Sequence, residues 1–130
     1  MRTPTVLIVE DNKALRKRLA VALADEYAVH GAECAGEALG FLKENSVEAL
    51  LVDMAMPDDD GIVVLAHAGG MSPKPLVVVL SPIARPAEAA KAMRLGASDY
   101  LVKPCDVDVV RRSIHDAISA PRAPVYQAAV

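Results

Sequence analysis

Four short apolar runs of this 130-residue chain end in side chains able to do chemistry. Residues 6–9 lead into Glu10 and Asp11, residues 49–52 into Asp53, residues 75–80 into Ser81, and residues 99–102 into Lys103. Read as strands of one open parallel sheet, these runs bring all five groups to one edge, because ligands of such sheets bind beyond the carboxyl ends of the strands where the strand order reverses. Three carboxylates within about 5 Å of one another repel by on the order of 3 kcal/mol per pair at an effective dielectric of 20. Lys103 supplies one compensating charge, and a hard, oxygen-seeking cation supplies the rest. Mg²⁺ suits the set better than Ca²⁺, since one or two carboxylates, waters and a phosphoryl oxygen satisfy it, whereas Ca²⁺ takes more protein oxygens than this edge offers.

The elements that must position these groups alternate between short apolar runs and amphipathic stretches, the pattern of a parallel sheet covered by helices on both faces. Asn12 caps a first helix with Leu15, Leu19, Ala22 and Leu23 at helical spacing. Residues 27–32 read as a second strand, followed by a helix with Ala35, Ala38, Leu39 and Leu42 on one face that ends near Asn45. After Asp53 comes a loop over residues 54–60, in which Asp58, Asp59 and Asp60 read as loop solvation; Gly61 then opens a third helix, stopped by Gly69 and Gly70. The run at 75–80, with Val77, Val78 and Val79 in succession, suits a strand buried on both faces. Pro86 starts a fourth helix that Gly96 ends, and Asp106 caps a fifth with Val107, Val110, Ile114, Ala117 and Ile118 facing inward. The domain is expected over residues 1–120, with 121–130 a tail or the start of a linker.

Composition narrows the function. The net charge of −3 opposes nucleic-acid binding by this segment, which would need clustered Lys and Arg. The one dense basic run, Arg16, Lys17 and Arg18, reads as a solvated helix face. Cys34 and Cys105 lie far apart, show no metal-ligand spacing and follow no signal peptide, so a cytoplasmic location is expected. No apolar stretch approaches the ~20 residues needed to span a bilayer, so no membrane association is expected.

Taken in order, Val9-Glu10-Asp11, Asp53-Met54-Ala55-Met56-Pro57 followed by Gly61, Leu80-Ser81, Gly96-Ala97 and Tyr100-Leu101-Val102-Lys103-Pro104 strongly resemble the response-regulator receiver family, over residues 5 to about 119. The resemblance implies a doubly wound, flavodoxin-like (βα)5 α/β fold, with five parallel strands in order 2-1-3-4-5. It implies that Asp53 accepts a phosphoryl group from a histidine kinase or a histidine phosphotransfer protein. Asp11 and Asp53 would bind Mg²⁺, for which Mn²⁺ can substitute, with the Ala55 carbonyl as a main-chain ligand and Glu10 acting through water. Lys103 would balance phosphoryl charge, the Ser81 hydroxyl would hydrogen-bond a phosphoryl oxygen, and Tyr100 would change rotamer as Ser81 moves. That movement would alter the surface of helix 4, strand 5 and helix 5, where an output domain or a second copy would dock. By their places one and nearly two turns into the first helix, Leu15 and Arg18 would lie beside the site, within reach of the phosphoryl donor protein, with Leu15 equally placed to join the core. The Lys103-Pro104 bond would be cis.

Three departures stand out. Glu10 occupies a place where Asp is more usual, Cys105 follows Pro104 where Phe is common, and Pro82 follows Ser81 where the family commonly offers a main-chain N–H to the phosphoryl group. Rival readings are weaker. A haloacid-dehalogenase-type phosphatase needs a second acid two residues after its nucleophile, where this chain has Ala55. A nucleotide or flavin site needs glycines in the first loop, which here is Glu10-Asp11-Asn12-Lys13. The more serious alternative is a degenerate receiver that acts only as a protein-binding module. The chain is therefore expected to be no enzyme beyond its own phosphoryl transfer and autodephosphorylation.

Overall fold

The structure is a computed structural model and describes residues 3–82 and 84–120; the tail expected at 121–130 lies outside them. Its elements run β1 (Thr5–Val9), α1 (Lys13–Leu23), β2 (Ala28–Ala32), α2 (Ala35–Glu44), β3 (Ala49–Asp53), a 3-10 turn (Pro57–Asp59), α3 (Asp60–Gly69), β4 (Leu76–Ser81), α4 (Pro86–Arg94), β5 (Asp99–Val102) and α5 (Val107–Ser119). All five strands are parallel, in the order β2-β1-β3-β4-β5. The chain moves outward from β1 to β2 and then returns to the other side of β1, so the strand order reverses between β1 and β3.

Alternate residues of the central strands face two separate cores. Leu7, Val9, Leu50, Val52, Val77 and Val79 pack against α2, α3 and α4 through Ala38, Leu42, Val64, Leu65 and Ala92. Val6, Ile8, Leu51, Val78 and Leu80 pack against α1 and α5 through Leu19, Leu23, Val110 and Ile114. Every residue of β3 is buried, which explains why it reads as an unbroken apolar run rather than an alternating one.

Element boundaries differ from the sequence reading where the main-chain bonding decides. Tyr27 stays outside β2 because its N–H donates to the Leu23 carbonyl at the exit of α1. Pro75 has no N–H for the ladder, and the strand begins at Leu76, which donates to the Glu48 carbonyl. Helix α3 starts at Asp60 rather than Gly61, after Asp58 and Asp59 take left-handed φ values of 60° and 56°. Asn12 and Asp106 cap α1 and α5 as expected, accepting from the N–H groups of Leu15 and Asp108. Among the described residues, no helix is long and apolar enough to cross a membrane.

Candidate functional site

The site lies where the strand order reverses, beyond the carboxyl ends of β1 and β3, with β4 and β5 completing one wall. Glu10 follows β1, its side chain turned into the protein and its residue only 1% exposed. Both of its carboxylate oxygens are engaged: Oε2 accepts from the Asn12 N–H at 3.0 Å, and Oε1 lies 3.3 Å from Lys103 Nζ. Asp11, one residue on, is exposed.

Asp53 closes β3 and is 2% exposed. Its Oδ1 accepts from the Ala55 N–H at 2.9 Å and lies 3.2 Å from Lys103 Nζ. The Ala55 main chain is thus held against the Asp53 carboxylate. Gly61 permits this turn, since a Cβ there would stand 2.6 Å from the Asp53 carbonyl oxygen and 3.1 Å from Met54 Cα. The N–H of Met54 donates to the Leu80 carbonyl at 2.8 Å, and that of Lys103 to the Ser81 carbonyl at 2.7 Å, so the ends of β3, β4 and β5 are tied rung by rung. Lys103 precedes a cis bond to Pro104, as the resemblance implies.

Glu10, Asp11 and Asp53 each offer an oxygen to a common point, all within 4.8 Å of one another. Three carboxylates against one ammonium leave an excess of negative charge in a mostly buried setting, and a hard divalent cation would neutralise it. Burial raises the Glu10 carboxyl to about 7, neighbouring Asp53 adds to the rise, and the Asn12 N–H and Lys103 oppose it. For Lys103 burial is the largest influence and lowers its pKa, but the carboxylates of Asp53 and Glu10 outweigh it and keep the ammonium above its ordinary range.

The sequence matches the response regulator receiver domain over residues 6–115. The chain belongs to the response regulator receiver domain family. This receiver domain is 34% identical over 107 residues to the alginate biosynthesis transcriptional regulatory protein AlgB of Pseudomonas aeruginosa, an alignment covering 82% of the chain but 24% of AlgB. Among solved structures, it is similar to a response regulator from Thermotoga maritima at 25% identity and a TM-score of 0.82, covering 92% of this chain and all of that one. It is also similar to a response regulator protein from Burkholderia pseudomallei with a phosphorylated aspartic acid, calcium ion and citrate, at 29% identity and a TM-score of 0.77, covering 88% of this chain and 66% of that one.

The five strand-end groups singled out in the sequence do come to one edge of the receiver domain. Ser81 is 4% exposed, and Tyr100, half-buried on β5, pairs with Val79 and packs against the core beneath α4. Two residues read as solvated are instead structural partners of this edge. Asp60 does not serve loop solvation: its Oδ2 accepts from the Ala35 N–H at 2.8 Å, capping α2 from 25 residues away. The signal was Cys34, which offers α2 no side-chain cap. Arg16 does not lie on a wholly solvated face; its Nη1 donates to the Glu10 carbonyl at 2.7 Å.

Proposed function

We propose that this receiver domain accepts a phosphoryl group on Asp53 from a histidine kinase or a histidine phosphotransfer protein, in a Mg²⁺-dependent reaction. The observation that supports it best is the position of Lys103 Nζ, 3.2 Å from Asp53 Oδ1 and 3.3 Å from Glu10 Oε1, beside a third carboxylate within reach of the same point. A carboxylate oxygen of Asp53 attacks phosphorus; the O–P bond forms as the P–N bond of a phosphohistidine breaks, and the electron pair leaves on the imidazole nitrogen. Lys103 balances the charge of the transferring group, and the Ser81 hydroxyl hydrogen-bonds one of its oxygens.

Asp11 and Asp53 would hold Mg²⁺ directly, together with the Ala55 carbonyl. Glu10, with both oxygens already engaged, suits contact through water. When bound, the cation lowers the charge repulsion between the incoming phosphoryl group and the carboxylates. That the similar response regulator protein from Burkholderia pseudomallei has a phosphorylated aspartic acid supports an aspartate as the acceptor.

A groove of about 420 Å³ opens beside Lys103, lined by Leu15 and Arg18 of α1 and by Pro82, Pro104 and Cys105. It suits the approach of the phosphoryl donor protein. Met93 of α4, Val102 of β5 and Val109 of α5 are exposed apolar side chains, which supports docking of an output domain or a second copy on these elements once Ser81 and Tyr100 respond.

Incubation with acetyl phosphate and Mg²⁺, read by intact mass, tests the proposal. One phosphoryl group should be added, omission of Mg²⁺ should prevent it, and Asp53→Asn should abolish it. No mass increase under any condition would leave the protein-binding module as the better reading, and undiminished modification of the Asp53→Asn variant would move the acceptor elsewhere.

A further inference from the structure

The β1–α1 turn carries two of the three clustered carboxylates, and one side chain outside the cluster holds its main chain. Arg16 sits in the first turns of α1, where side chains point back toward the helix N-terminus. Its guanidinium returns over the turn and Nη1 donates to the Glu10 carbonyl at 2.7 Å. That carbonyl belongs to the peptide plane joining Glu10 to Asp11, so the bond fixes the plane from which both carboxylates hang. The same guanidinium lies 4.0 Å from Glu33 Oε2, and its side chain is only 19% exposed.

Space for this path comes from β2. A Cβ at Gly31 would lie 3.0 Å from Arg16 Cδ and 3.3 Å from Cγ and Nε, so the aliphatic stem rests on bare main chain. The Glu10 N–H donates to the Ala32 carbonyl at 3.0 Å, so the residue is gripped at both ends of its main chain, by β2 and by Arg16.

We infer that Arg16 is a positioning residue for the divalent cation, holding the Glu10–Asp11 peptide so that the Asp11 carboxylate stays aimed at Asp53. This rests on the cation-binding reading given above. The charge of Arg16 acts the other way, since a guanidinium near the carboxylates repels a dication. The inference therefore predicts a direction opposite to that of charge alone: neutralising Arg16 weakens cation binding.

Mn²⁺ binding by the whole chain, followed by the electron paramagnetic resonance signal of the free ion, is the test. Arg16→Met keeps the stem over Gly31 and removes the donors; we expect its Kd to rise roughly three- to tenfold, the effect of one hydrogen bond to the main chain. Arg16→Lys, with charge and a donor, should return to within about twofold of the parent, and Lys17→Met, exposed on the same helix, should match it. Gly31→Ala crowds the stem with Arg16 present and gives a second route should Arg16→Met fail to fold; it should raise Kd about twofold or more. Parent-like or tighter binding by Arg16→Met, or by Gly31→Ala where that variant must stand in, overturns the inference, as does an equal loss in Lys17→Met. Absence of Mn²⁺ binding by the parent protein would instead overturn the cation-binding reading itself.

Discussion

Lys103 donates its main-chain N–H to the Ser81 carbonyl at 2.7 Å while its ammonium stands 3.2 Å from Asp53 Oδ1. One residue thus fixes the spacing between the end of β4 and the carboxylate at the end of β3, by its main chain on one side and its charge on the other.

Lys103→Met should keep the first link and lose the second, leaving Glu10 and Asp53 adjacent and without their cation. Breaking a buried pair costs about 3 to 5 kcal/mol, and the partial exposure of Lys103 reduces this to roughly 1 to 3 kcal/mol. Urea denaturation at neutral pH in EDTA should show that loss, and saturating Mg²⁺ should recover part of it. A variant as stable as the parent in EDTA would show that Lys103 does not compensate these carboxylates.

The raised Glu10 carboxyl gives the cation-free protein a defined pH dependence. The folded state holds the Glu10 proton up to about 7, against an ordinary value of 4.5, so between these limits folding takes up a proton. The resulting stability is fully present below the lower value and is lost as pH rises through the upper one. In EDTA, the denaturation midpoint of Glu10→Gln should therefore fall less than that of the parent between about pH 5 and about pH 8. Mg²⁺ competes with the same proton, so its affinity for the parent should increase over that range. Parallel pH profiles for the two proteins would place the titration elsewhere.

Gly61 and Gly40 should respond oppositely to alanine. At Gly61 the new methyl would meet the Asp53 carbonyl at 2.6 Å, a main-chain atom with no side chain to yield, and a loss of roughly 1 to 3 kcal/mol with slower phosphorylation is expected. At Gly40, exposed inside α2, nothing lies within 4 Å, and alanine should stabilise by about 0.5 to 1 kcal/mol. Chemical denaturation of the pair measures both, and equal effects would contradict the crowding described at Asp53.

Pro82 leaves no main-chain N–H beside Ser81. Pro82→Ala restores one, and a hydrogen bond to a charged group is worth about 1.5 to 3 kcal/mol, against about 0.4 to 1 kcal/mol for the flexibility returned to the loop. The donor should prevail, tightening beryllofluoride binding several-fold or more and lengthening the life of the phosphorylated state. A titration of both proteins at one Mg²⁺ concentration decides it; equal or weaker binding by the alanine variant would show that the missing donor does not limit the site.

Much of this was legible in the sequence because apolar run length and turn residues are local signals. The runs ending at Glu10, Asp53, Ser81 and Lys103 marked both the strands and the edge where their ends meet. Asp60 and Arg16 escaped because their partners, the Ala35 N–H and the Glu10 carbonyl, are main-chain groups that every residue possesses and no sequence pattern singles out. Only their complements left traces: Cys34, unable to cap its own helix, and Gly31, which gives the Arg16 stem its room.

The ion pair between Lys103 and Glu10 joins groups 93 residues apart, at the first and last strands in chain order. Closing a contact of such separation must overcome the loop-closure entropy of the long intervening chain. A nascent chain emerging from the ribosome with four strands made would therefore present Asp53 without its ammonium, as a carboxylate beside carboxylates. On the proposed function, chemical competence would then wait for β5, the last strand of the sheet to be made.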